Sequence, residues 1–279
     1  MKNILVLVDL KKEPEQLLKS AMKIGRQLEA KIILANLQPA LSVVAELHGT
    51  EGILMEESYP AIEALVDFKK TSAACNEFNQ HIECTDLKIK DPGALKDFVI
   101  KNNICIIIQY MPPIIEFDAQ AVKDAILKIV NHMNCPCLFL PFGPSFKQID
   151  RIAYFTDLRY CDLGVVRLLK SFNAFLFITH VTIQGLPDIS HQYAHDIISD
   201  EIAAKSGYKK IFLRNVKRAN HLNEIEKIIE VDDVNLCAMV SKKHGLLEEV
   251  LPAKSGGIKH LYSLPLLIIP FLNWFICNV

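Results

Sequence analysis

The chain says nearly the same thing twice, and that repeat restricts its fold more than any single motif. Ile4-Leu5-Val6-Leu7-Val8-Asp9 near the start returns as Ile152-Ala153-Tyr154-Phe155-Thr156-Asp157. Each is an apolar run that ends on an aspartate and leads into a helical pattern. The halves also close alike, Cys135-Pro136-Cys137-Leu138-Phe139-Leu140-Pro141-Phe142 against Leu264-Pro265-Leu266-Leu267-Ile268-Ile269-Pro270-Phe271, with both prolines and the phenylalanine at one common offset. A repeat of this kind sets the architecture before any propensity argument, and 279 residues suit two domains of about 150 residues each.

Five strand-like blocks are predicted in each half. In the first they are Asn3–Val8, Lys31–Leu37, Glu83–Ile89, Ile104–Gln109 and Cys137–Pro141; in the second, Arg151–Thr156, Phe175–Val181, Lys210–Arg214, Leu236–Ser241 and Leu266–Pro270. Most are continuously apolar, the mark of strands buried on both faces of a parallel sheet. Helical stripes fall between them. Leu17, Ala21, Ile24 and Leu28 share one face, with Pro14 at a first turn where a missing N–H costs nothing. Leu163, Val166, Leu169 and Phe172 repeat the stripe in the second half. Further helices are expected at Ala61–Cys75, Gly93–Lys101, Ala119–His132, His191–Lys205, Leu222–Glu230 and Gly257–Tyr262. Strand alternating with helix implies right-handed βαβ units with helices on both faces. The domains are read as 1–142 and 151–279, joined by Phe142–Asp150.

Composition excludes several classes. The apolar fraction is 51%, but its longest run, Leu264 to Phe275, is broken by Pro265, Pro270 and Asn273 and falls short of the about 20 residues a membrane helix needs. Asp9 and Lys11-Lys12-Glu13 interrupt the first apolar run too early for a signal peptide, so a cytoplasmic location is expected. With 31 basic and 32 acidic residues and no long block of one sign, no nucleic-acid partner is expected. The eight cysteines read as buried thiols; Asn103-Ile104-Cys105 and Asn235-Leu236-Cys237 place two of them at the same point of each half.

The ordered set of these motifs resembles the universal stress protein family in its tandem form. The residues that carry the resemblance are Val8-Asp9 and Thr156-Asp157, the second strand ending in His180-Val181 (Asn36-Leu37 in the first half), the Cys135-Pro136 and Leu264-Pro265 entries to the last strands, and His244-Gly245 after a fourth strand. The resemblance covers nearly the whole chain. It implies two tandem doubly wound, parallel five-stranded α/β domains of the adenine nucleotide alpha hydrolase-like kind, packed as a pseudo-dimer within one chain, a further homodimer being left open. It also implies a role in stress response, and a ligand at the carboxyl ends of the strands, where general α/β logic puts one too.

Nucleotide-binding members carry a glycine motif after the fourth strand, because bare backbone N–H groups at a loop and helix start cradle phosphate. Aligned on His244-Gly245, this chain has Lys242 in place of the first glycine, keeps Gly245 as the second, and offers Ser255, Gly256 and Gly257 where the terminal glycine and hydroxyl belong. The first half has no glycine there at all, but Pro112, Pro113 and Glu116. ATP is therefore expected to find no site in the first domain, and a site in the second only if Asp157, Val181, Gly245, Lys254, Ser255, Gly256 and Gly257 converge. Asp9 reads better as a turn residue.

Other constellations are poorer. His191 and His195 stand one helical turn apart and could pair on a metal, but Gln192 occupies the place where a zinc protease needs its glutamate. Cys135 and Cys137 are two apart on a strand, a spacing that makes strained disulfides. No nucleophile, acid and base converge by motif. The expectation is a non-catalytic stress-response protein that binds an unknown protein or small ligand, the alternative an ATP-binding switch using the second domain.

Overall fold

The computed structural model describes residues 2–36, 62–73, 75, 81–85, 87, 92–112, 119–143, 148–158, 163–182, 189–216, 221–242, 245–251 and 258–271. The chain divides into two compact units, one built on Met1–Met111 and Ala125–Gln148, the other on Pro112–Asp124 and Ile149–Phe275.

In the first unit the strands are β1 (Asn3–Val8), β2 (Lys31–Asn36), β3 (Ile82–Thr85), β4 (Ile104–Tyr110) and β5 (Cys137–Leu140). All pair in parallel, in the order β3-β2-β1-β4-β5. The second unit repeats this with β6 (Arg151–Thr156), β7 (Phe175–Val181), β8 (Ile211–Val216), β9 (Leu236–Ser241) and β10 (Leu266–Pro270), in the order β8-β7-β6-β9-β10. The doubly wound fold expected from the alternating blocks is present in each half. In both, the opening strand lies beside the second and fourth, so the chain reverses direction of travel at that point and leaves a crevice at the carboxyl ends.

The cores follow from the apolar runs. Residues 4–8, 106–108 and 138–139 are fully buried in the first unit, as are 152–154, 236–239 and 266–269 in the second. Helix α1 (Pro14–Gln27) turns Leu17, Leu18, Ala21 and Ile24 inward, and α2 (Ile62–Thr71), α3 (Pro92–Lys101) and α4 (Ala119–Met133) follow in the first half. The second half has α5 (Leu163–Lys170), α6 (His191–Asp196), α7 (His221–Val231) and α8 (Leu246–Val250). Three details depart from the sequence reading. Beyond α6 the expected helix continues as a π-helical stretch, Ile197–Ala203, before a last α turn at Ala204–Ser206. Helix α8 was not expected, and the helix predicted at Gly257–Tyr262 is a 3-10 turn at Lys259–Ser263.

A fourth departure concerns the cysteines. Leu5, four residues before Asp9, pairs with Ile107, whereas Ala153, four before Asp157, pairs with Cys237. Cys237 therefore corresponds to Ile107, not to Cys105. The register explains it: Asn3 faces Ile104 and Ile4 faces Ile106, so Cys105 is an extra residue in a bulge with no counterpart in the second half. Burial raises the Cys105 thiol to about 11 and Cys237 to about 12, and pushes Cys137 up as well. Cys137 Sγ lies 3.3 Å from the Cys135 carbonyl oxygen and Cys135 Sγ 3.6 Å from that of Ile104, the contacts of packed thiols.

Candidate functional site: the crevice between β6 and β9

Strand β6 ends at Thr156 and β9 at Ser241, and the two strands are neighbours. The next residue of each is Asp157 and Lys242. Adjacent parallel strands bring these two side chains together, and Lys242 Nζ donates to Asp157 Oδ1 at 3.2 Å with only 7% and 4% of the side chains exposed. The ammonium also lies over the Phe271 ring, 5.2 Å from its centroid, a favourable place for a cation. Leu158, the next residue, is held in the left-handed region (φ 53°), a conformation a branched side chain adopts only under constraint. Its N–H donates to Thr156 Oγ1 at 3.1 Å.

Tyr154, Met239 and Leu246 line the recess beside this pair. Gly245 starts α8, and Glu248 and Glu249 fill the helix's first turn; negative charge there repels phosphate from the end where a helix would attract it. Glu249 is further held by His221, Nε2 to Oε2 3.3 Å. The carboxylate at the end of β6 is thus held by an internal cation.

The remaining expected site residues divide. Asp157 and Gly245 stand at the crevice. Val181 is fully buried at the end of β7, opposite Val216, and takes no part in the recess. Lys254, Ser255, Gly256 and Gly257 lie outside the described residues, as do Pro113 and Glu116 of the first half. Beside Val181, the buried His180 meets Asn215 Oδ1 through Nδ1 at 2.8 Å. His195 Nδ1 lies 3.8 Å from Asp196 Oδ1 in an exposed pair, and among the described residues no three His, Cys, Asp or Glu side chains gather as a metal site. What the sequence reading missed was the partner of Asp157. The signal was present, since a lysine directly after the fourth strand and an aspartate directly after the first must meet once those strands are adjacent.

At the corresponding place in the first unit, Asp9 caps a turn through Lys11 N–H, 3.0 Å from Oδ1. No described cation is bound to it. Tyr110, the last residue of β4, donates its hydroxyl to the Glu13 carbonyl at 2.9 Å and stacks on Phe142 at 4.3 Å between centroids. Burial first, and the Glu13 charge second, raise its phenol to about 12.

By sequence, no protein-family profile and no curated protein matches the chain. Solved structures do. A universal stress protein from Archaeoglobus fulgidus DSM 4304 aligns with a TM-score of 0.57 at 14% identity, over 96% of this chain and 98% of the other. The chain has the fold of the universal stress proteins. A functionally unknown protein from Pseudomonas aeruginosa PAO1 and a putative universal stress protein from Pseudomonas aeruginosa UCBPP-PA14 each align with a TM-score of 0.56 at 12% identity, over 99% of this chain and 94% of theirs. Coverage this complete extends the universal stress protein fold across both halves of the repeat. No helix among the described residues is long and apolar enough to cross a membrane.

Proposed function

We propose that this chain is a non-catalytic protein of the universal stress class, acting in stress response by binding a partner rather than by turning over a nucleotide. The observation that carries the reading is the buried Asp157–Lys242 pair at the strand ends where this fold takes a ligand. A free carboxylate there is a recognition group; a neutralised one is a structural strut. The strained Leu158 and the two glutamates at α8 favour the same reading. In the first unit, Asp9, the counterpart of Asp157, is taken up in its own turn, and Tyr110 ties the end of β4 to Glu13.

Titration calorimetry of the full chain with ATP and magnesium tests this. The expected result is no heat of binding up to about 1 mM, the weak limit of specific affinity. Micromolar affinity that disappears on replacing Gly256 with Val would overturn the reading in favour of an ATP-binding switch in the second domain.

A further inference from the structure

We propose that the free edge of β8 is a docking site for an extended polypeptide strand whose side chains alternate between acidic and apolar. This surface is remote from the strand-end crevice chemistry and does not depend on whether nucleotide binds there.

The backbone sets the first half of the argument. Lys210 O accepts from Leu176 N–H at 2.8 Å and Val216 O accepts from Thr182 N–H at 3.2 Å. Backbone groups alternate sides along a strand, so Phe212 and Arg214 also turn theirs toward β7. Ile211, Leu213 and Asn215 therefore aim N–H and C=O away from the sheet. Strand β8 ends the sheet order of its unit, and these three outward residues have no strand beside them among the described residues. An open row of donors and acceptors is a template for another strand.

Side chains specify what that strand must carry. On one face, Lys210, Phe212 and Arg214 follow one another at every second residue. Phe212 and Phe175 are 49% and 42% exposed. Lys210 lies 5.6 Å from the Phe175 centroid, and Phe177 stacks on Phe212 at 5.1 Å. Lys210 and Arg214 make this face basic, and the exposed Lys209 stands just before the strand. Acidic side chains complement this face, including the N–H groups Arg214 retains beyond its 2.6 Å bond to Asp232. On the other face stand the half-buried Ile211 and Leu213, which apolar side chains would cover. A strand with period two satisfies both faces at once.

Two other occupants fit less well. A second copy pairing through β8 would set Lys210 and Arg214 against their own kind, a repulsive register. Single-stranded nucleic acid needs successive open aromatic faces for base stacking, but Lys210 covers Phe175 and both Arg151 and Phe212 cover Phe177, which leaves one face of Phe212 alone among these three rings.

The test uses the full chain and a dye-labelled, end-capped octapeptide alternating glutamate and valine, followed by fluorescence anisotropy. Binding is expected, weakened by added salt, and absent for the matching lysine–valine peptide. Leu213→Pro removes one outward N–H without touching the β7 ladder, a change edge strands tolerate; it should weaken binding about tenfold relative to Leu213→Ala. Lys209→Glu, at an exposed position before the strand, should weaken it about threefold by charge alone, and keeps the test valid if the proline variant fails to fold. The proposal is overturned if the peptide does not bind at millimolar concentration, if Leu213→Pro binds as well as Leu213→Ala, if oligothymidylate binds more tightly than the peptide, or if the wild-type chain self-associates through an interface that Leu213→Pro abolishes.

Discussion

The phenylalanine that closes each half of the repeat meets a different partner. Phe142 stacks on the Tyr110 ring, whose hydroxyl reaches the carbonyl of Glu13. Phe271 lies against the ammonium of Lys242, which reaches the carboxylate of Asp157. One backbone plan thus ends its fourth strand in two ways, with an aromatic tether in one half and an ion pair in the other. The difference lies in how each half satisfies the aspartate after its first strand. Asp9 accepts a backbone N–H in a turn, a local solution that needs no distant partner. Asp157 depends on a residue 85 positions away. The first arrangement is cheap to break and the second is not.

The largest expected effect follows directly. Lys242→Ala leaves the Asp157 carboxylate buried without its cation, and breaking such a pair costs about 3–5 kcal/mol. Asp9→Asn keeps an acceptor for the Lys11 N–H and should cost no more than about 1 kcal/mol. Denaturant unfolding of the two variants, with each half followed separately by hydrogen exchange, would measure both. Equal losses would mean that Asp157 is solvated as easily as Asp9 and that the comparison is empty.

The aromatic side of the comparison has its own signature. Because the Tyr110 phenol is raised from 10.0 to about 12, the folded state holds its proton to higher pH than the unfolded state does. Above pH 10 the unfolded chain therefore sheds the proton first, and stability falls until about pH 12. Tyr110→Phe should remove this part of the alkaline loss while costing about 1 kcal/mol at neutral pH for the bond to Glu13. An alkaline unfolding profile identical in the variant would show that the tether is too exposed to matter.

Much of this was legible in the sequence. The repeat and the continuous apolar runs gave the strand number and the doubly wound plan because buried parallel strands leave little room for ambiguity. Six strand starts or ends moved by a residue or two, and the end of β3 moved by four, that strand being short and only partly buried. The false match of Cys105 to Cys237 arose because a bulge inserts one residue that no local string reveals. The candidate site was half legible. Lys242 was visible as a missing glycine, but its meaning depended on which strands are adjacent, a property of strand order rather than of any motif. Val181 sits on the neighbouring strand with its side chain in the core.

A smaller prediction reverses sign between the halves. Leu158 holds a positive φ that glycine adopts freely, whereas Leu10, its counterpart one residue after Asp9, does not. Leu158→Gly should stabilise the second half by up to about 1 kcal/mol through released strain, while Leu10→Gly should destabilise the first by about 0.5–1 kcal/mol through the unfolded chain's added freedom. Two losses of equal size would show that Leu158 gains from its side-chain packing as much as its backbone forfeits.

The smallest effect is the most informative. Replacing both members of the pair, Asp157→Asn with Lys242→Met, removes the buried charges together, and such exchanges are often neutral because the ions had also been stripped of water. The double variant should lie within about 1 kcal/mol of the natural chain although Lys242→Ala alone is severe, a non-additivity that identifies the two residues as one unit. Methionine can keep its contact with the Phe271 ring through sulfur, so the closure over the crevice survives in apolar form. If the double variant is as unstable as the single one, the pair contributes more than mutual neutralisation, and Lys242 must be a cation for a reason outside the described contacts. If it is stable yet now binds ATP, the lysine was excluding a ligand the crevice could otherwise hold, and the two halves would differ in a lock rather than in a strut.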